Sequence, residues 1–181
     1  MYIRIAFLFL VLGSLLVPSC KKDKNESTPE NDLPLNTLQF KADGQEYSFS
    51  SVFGLKSEES INGIQVKVFT INALDLVTQD NFQLWFYYAN STPPEAGVVY
   101  ESSGSSCAVS NGSDTCPLMS FIPASSGATY SSSGAGAKAY VKFSVLELDG
   151  GVAKGEFTAT LIKDTGGSVE ITEGLFHVKV L

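Results

Sequence analysis

From Leu38 onward the chain alternates apolar and polar residues in short runs, each broken by Gly, Asn or Asp. This is the period of half-buried β-strands separated by turns. Leu38-Gln39-Phe40-Lys41-Ala42 and Gln45-Glu46-Tyr47-Ser48-Phe49-Ser50 flank Asp43-Gly44 and predict a β-hairpin, because a tight two-residue turn needs positive φ at both positions. A short strand is expected over 51–56. A half-buried strand follows over 63–73, where Ile64, Val66 and Val68 alternate with Gln65 and Lys67. Phe82, Leu84, Phe86 and Tyr88 define one face of a strand over 81–89, which ends at Asn90 before Pro93-Pro94. Shorter runs at 97–101 and 118–122 read as strands as well.

The C-terminal third is the most regular part. Val141, Phe143 and Val145 alternate up to the turn Asp149-Gly150-Gly151, and Phe157, Ala159 and Leu161 up to Asp164-Thr165-Gly166-Gly167. The last run changes parity: Val169 and Ile171 are odd, whereas Phe176, Val178 and Val180 are even, with Glu173-Gly174 between them. A β-bulge with the glycine in the left-handed region would restore one continuous core face. Strands over 137–148, 152–163 and 168–180 therefore predict an antiparallel three-strand meander. No segment after residue 20 sustains a helical period. The expectation is an all-β domain over 37–181, an antiparallel β-sandwich of about nine strands, with an up-and-down β-barrel as the alternative.

Residues 1–19 have a different pattern. Arg4 precedes an apolar run of twelve residues at 5–16, short of the roughly 20 needed to span a bilayer and matched to an export signal. The run closes on Leu16-Val17-Pro18-Ser19-Cys20. A small residue directly before Cys resembles the lipobox of bacterial lipoproteins. That resemblance implies cleavage before Cys20, acylation of its sulfur and amino group, and stable anchoring through more than one acyl chain. Residues 21–36 are polar, charged and poor in apolar side chains, as expected of a flexible tether. Cys20-Lys21-Lys22-Asp23 also resembles lipoproteins of the Bacteroidetes type, some of which are displayed at the cell surface. The same group of uncharacterised all-β lipoproteins shares an early F-x-A-D-G hairpin, here Phe40 to Gly44. It also shares a G-x-F-x-A-x-L … I-T-x-G-x-F ending, here Gly155 to Leu161 and Ile171 to Phe176. The resemblance implies a lipid-anchored outer-membrane protein, facing the periplasm or the cell surface, and carries no activity to named residues.

Of 181 residues, 44% are hydrophobic, and the net charge is −7. Removing residues 1–19 takes away only Arg4, leaving 11 basic and 19 acidic side chains and a net charge of −8. Nucleic acid is not expected as a partner, since neutralising phosphates needs clustered Lys and Arg. Three cysteines resolve into Cys20 for lipid and the pair Cys107 and Cys116, which flank the Asn111-Gly112 turn signal and are expected to form a disulfide. One histidine excludes His-pair metal sites, and nothing in the chain implies a cofactor or a metal.

Candidate chemistry is sparse. His177 shares parity with Lys179, so it should face solvent, and no Gly-x-Ser-x-Gly elbow accompanies it. Near carboxylate pairs (Glu58 with Glu59, Asp75 with Asp80, Glu147 with Asp149, Glu170 with Glu173) lie mostly in turns or at strand ends. Trp85 and Tyr87, opposite the Phe82 face and beside Gln83, are the candidate ligand platform, able to stack on sugar rings or an apolar partner. The competing reading covers them with the 101–136 segment, which holds twelve serines. The functional expectation is a lipid-anchored cell-envelope lipoprotein acting as a non-catalytic binding or structural module, with a glycan or an envelope protein as partner. The alternatives are a carbohydrate-binding accessory lipoprotein and, from another class, a glycoside hydrolase working through two carboxylates.

Overall fold

Alternation of buried and exposed side chains is the rule on most of the strands in the computed structural model, which describes residues 33–61, 63–89, 93–104 and 115–181. Among the described residues all regular elements are strands, eleven in number. They are β1 (Thr37–Ala42), β2 (Gln45–Phe49), β3 (Val52–Ile61), β4 (Ile64–Leu74), β5 (Asn81–Ala89), β6 (Val99–Ser103), β7 (Cys116–Ile122), β8 (Tyr130–Ser131), β9 (Lys138–Leu146), β10 (Val152–Lys163) and β11 (Ser168–Lys179). The fold is all-β and the ladders between strands are antiparallel, as the patterning predicts.

All eleven strands belong to one hydrogen-bonded sheet in the order β2-β1-β11-β10-β8-β7-β5-β4-β3, with β9 on β10 and β6 on β9. β10 makes the junction. Its residues Ala153 to Thr160 pair with β9, and its last two, Ile162 and Lys163, pass over to β8. The sheet curls there, so that β3-β4-β5-β7 faces β2-β1-β11-β10-β9-β6 across one core. Phe82 on β5 stacks on Phe157 of β10 at 5.0 Å, and Phe86 meets Phe143 of β9 edge-on at 5.1 Å. At the far side a single parallel bridge, Gly54 to Val180, brings β3 against the end of β11. The molecule packs like a sandwich and connects like an open barrel.

The expected meander is present, β9-β10-β11. The Asp43-Gly44 turn is also as predicted, with φ of 48° and 83°. Asp43 further fixes it by accepting the Glu170 N–H at Oδ1 and donating its own N–H to the Glu170 carbonyl, both at 2.9 Å. The parity break is a bulge, but its geometry corrects the expectation. Glu173, not Gly174, takes the left-handed conformation, at φ 53°. Gly174 is needed for a different reason: a Cβ there would lie 2.5 Å from the Phe157 carbonyl oxygen and 2.7 Å from its ring. Two further elements differ from the sequence reading. β3 runs on to Ile61 although Leu55 to Ser60 are all exposed, because this edge strand lacks a buried face there and so lacks alternation. β6 spans 99–103 instead of 97–101, and it pairs with β9.

Candidate functional site

The residues singled out from the sequence fall on the outer face of β4, β5 and β7. Register places Trp85 between Thr70 and Leu118, and Tyr87 between Val68 and Cys116. Both aromatics are half-buried and pack in a second apolar cluster with Val66, Val68, Cys116, Leu118, Ile61 and Ile64. Burial pushes the Tyr87 phenol up from its ordinary pKa, with the Glu59 carboxylate adding to the effect. Gln83, next in line, donates from Nε2 to the Asn72 Oδ1 at 3.0 Å, a cross-strand bond that occupies its amide. Cys116 is buried at the start of β7. Cys20, Cys107 and the rest of residues 105–114 within the serine-rich 101–136 segment lie outside the described residues.

A different surface comes from the other half of the sheet. On β6, β9, β10, β11 and β1 the outward residues line up in rows across the strands, because each ladder is in register with the next. One row runs Val99, Lys142, Glu156, Leu175, Gln39. The neighbouring row starts Glu101, Tyr140, Thr158 and reaches Lys41 and Glu46 beyond the Glu173 bulge. The Glu173 bulge interrupts these rows on β11. The result is an open depression of about 220 Å³ lined by Val99, Tyr140, Lys142, Glu156, Thr158 and Leu175 together with the bulge itself. A second depression of about 160 Å³ continues from Glu173 over Gln39, Lys41, Glu46 and Ser48.

The first depression is mostly apolar and the second mostly polar, and Lys142 and Glu156 stand in the same row as Val99 and Leu175. Lys142 Nζ lies 3.6 Å from Glu156 Oε1, and Lys41 Nζ lies 2.8 Å from Glu173 Oε2. The Glu173 carboxylate, through its hydrogen bond and its charge, raises the Lys41 ammonium above its ordinary pKa. Sequence reading missed this site because every contributing residue looks like an ordinary solvent-facing strand position. Only the register assembles them. The Glu173-Gly174 parity break was the one local signal pointing there.

The remaining titratable groups act structurally. His177 is half-buried on the outer face, not free in solvent, and its Nδ1 lies 2.7 Å from the Leu33 carbonyl oxygen, a contact that needs the proton on Nδ1. Asp149 pairs with Lys56, and that hydrogen bond and charge lower the Asp149 carboxyl. Among the described residues no group of three or more His, Cys, Asp and Glu is placed to hold a metal ion.

Asp75 and Asp80 build the β4–β5 loop. Asp75 Oδ1 accepts the N–H groups of Val77 at 2.7 Å and Thr78 at 3.1 Å, while Asp80 accepts from the Thr78 hydroxyl and the Ala124 N–H. The bonds from Thr78 and Val77 hold the Asp75 carboxyl below its ordinary value of 3.8. A folded-state pKa that is lowered stabilises the loop fully above the unfolded value and stops doing so as the pH falls through the folded one. The Val77 and Thr78 amide resonances should therefore shift together on acidification, with a common midpoint below 3.8. A midpoint at or above that value would show that the two bonds do not stabilise the carboxylate.

Comparison with protein-family models, with curated proteins and with solved structures returned no match for this chain.

Proposed function

We propose that this protein is a lipid-anchored cell-envelope lipoprotein whose domain acts as a non-catalytic binding module. The groove over the Glu173 bulge carries the binding part of this reading. It is preformed on paired strands, so no loop has to be ordered before a ligand can enter. Four of the five charges that line it form two ion pairs, with Glu46 the fifth. The address rests on the apolar run ending in Ser19-Cys20 and on the polar stretch that follows it. The outer membrane, with periplasmic or cell-surface exposure, is the corresponding location, and a glycan or an envelope protein the corresponding partner. Cys107 and Cys116 are assigned to a disulfide in that oxidising compartment.

The carboxylates favour binding over hydrolysis. Glycosidases need one carboxyl held protonated near neutral pH, with its pKa raised. Among the described residues the carboxyls with a displaced pKa, Asp75 and Asp149, are both displaced downward. Glu156 and Glu173 each pair with a lysine.

Mass spectrometry of the protein from its native envelope tests the reading. The expected N-terminal peptide begins at Cys20 with added acyl mass, and reduction adds two hydrogens across the Cys107–Cys116 pair. An unmodified Cys20, or a chain still carrying residues 1–19, would overturn the anchor.

A further inference from the structure

We infer that the transverse groove binds a linear, uncharged polysaccharide along its length, with Tyr140, Val99 and Leu175 beneath the sugar rings. This deepens the binding reading above and rests on it.

Shape is the first argument. The two depressions share Glu173, so together they cross β6, β9, β10, β11, β1 and β2. Six strands at about 4.8 Å spacing give a path of roughly 24 Å, long enough for several sugar units and too long for one small molecule. It is open to solvent along its length, as a polymer requires.

Polarity is the second. A sugar ring has apolar C–H faces and a circumference of hydroxyls that both donate and accept. The first depression offers Val99, Tyr140 and Leu175 as apolar surface, with Lys142, Glu156, Glu173 and Lys41 interspersed as donors and acceptors. An extended peptide fits poorly. The backbone groups of β9, β10, β11 and β1 are committed to neighbours on both sides, so a peptide could not add as a strand there.

Charge is the third. The two depressions hold Lys41 and Lys142 against Glu46, Glu156 and Glu173, so they are close to neutral and slightly acidic. No cluster of cations waits for a polyanion, and the mature chain's net charge of −8 repels one.

The test is isothermal titration of the mature, detergent-solubilised chain with soluble neutral glycans (a β-glucan, a mannan and a xylan). Polygalacturonate and an apolar peptide serve as comparison probes. One or more neutral glycans should bind, with the other two probes silent. Tyr140→Ala should weaken binding about tenfold, the effect of losing one aromatic stacking contact. Val99→Lys, at a position 54% exposed and therefore safe for folding, should weaken it too. Trp85→Phe, on the opposite leaf, should leave it unchanged. The proposal is overturned if no neutral glycan binds, if polygalacturonate or the peptide binds in their place, or if Trp85→Phe abolishes binding that Tyr140→Ala and Val99→Lys leave intact. Release of new reducing ends from a bound glycan would uphold the ligand class and overturn the non-catalytic reading. A silent titration alongside an acylated Cys20 would overturn the ligand class alone.

Discussion

Phe40→Ala is expected to destabilise the domain by roughly 3–5 kcal/mol, the range for emptying a large aromatic site in a packed core. Phe40 is 2% exposed, and its ring meets five others. Tyr47 and Phe49 lie on the adjacent β2, and Phe157 lies on β10 in the same leaf. Phe82 at 5.0 Å and Phe121 at 5.2 Å come from the opposite leaf. Removing this ring therefore opens the contact between the leaves. Urea unfolding, followed by the shift in midpoint at constant slope, measures the loss. Phe40→Leu should recover much of it, because most of the buried volume returns. A loss below about 1 kcal/mol would show that the leaves do not depend on this contact.

Gly155→Ala should be nearly as damaging, by roughly 3 kcal/mol, for the opposite reason of overpacking. The added methyl would sit 2.4 Å from the Lys142 carbonyl oxygen, 2.7 Å from Phe176 Cζ and 3.1 Å from Phe143 Cα. Two of those three atoms are backbone of β9, which is itself held by β6 and β10 and cannot retreat. Gly150→Ala makes the comparison. It has φ of 77° but nothing within 4 Å, so only backbone strain of about 1–2 kcal/mol opposes the substitution. Thermal melts of the two variants should rank them in that order. Equal losses would mean that β9 and β10 are less tightly apposed than described.

These two glycine positions also show what the sequence made legible. Gly155 and Gly174 belong to the C-terminal motif that resembles the lipoprotein group, and each stands where two strands approach too closely for a side chain. The meander was readable because β9, β10 and β11 each bury one face and expose the other, which prints alternation onto the chain. The Asp43-Gly44 hairpin was readable because few residue pairs tolerate two positive φ values in a row. β8 was not, since Tyr130 and Ser131 are two half-buried residues with no pattern to detect. Nor was the crossover of β6 to β9, because five residues with a single buried side chain specify no partner. The groove needed every ladder's register at once. Trp85 and Tyr87 drew notice as aromatics on the wrong face of a strand, yet Val66, Val68 and Cys116 lie on that same face and draw them into an apolar cluster.

The same contrast locates the decisive experiment. If the outer face of β6, β9, β10, β11 and β1 is the binding surface, a ligand should disturb that face and leave the Trp85 face quiet. Two-dimensional amide NMR of the protein, titrated with the neutral glycan that binds, reads this residue by residue. Shifts should concentrate at Val99, Tyr140, Lys142, Glu156, Thr158, Glu173 and Leu175, with Gln83, Trp85 and Tyr87 unmoved. Shifts centred on Gln83, Trp85 and Tyr87, with the groove residues unmoved, would contradict it.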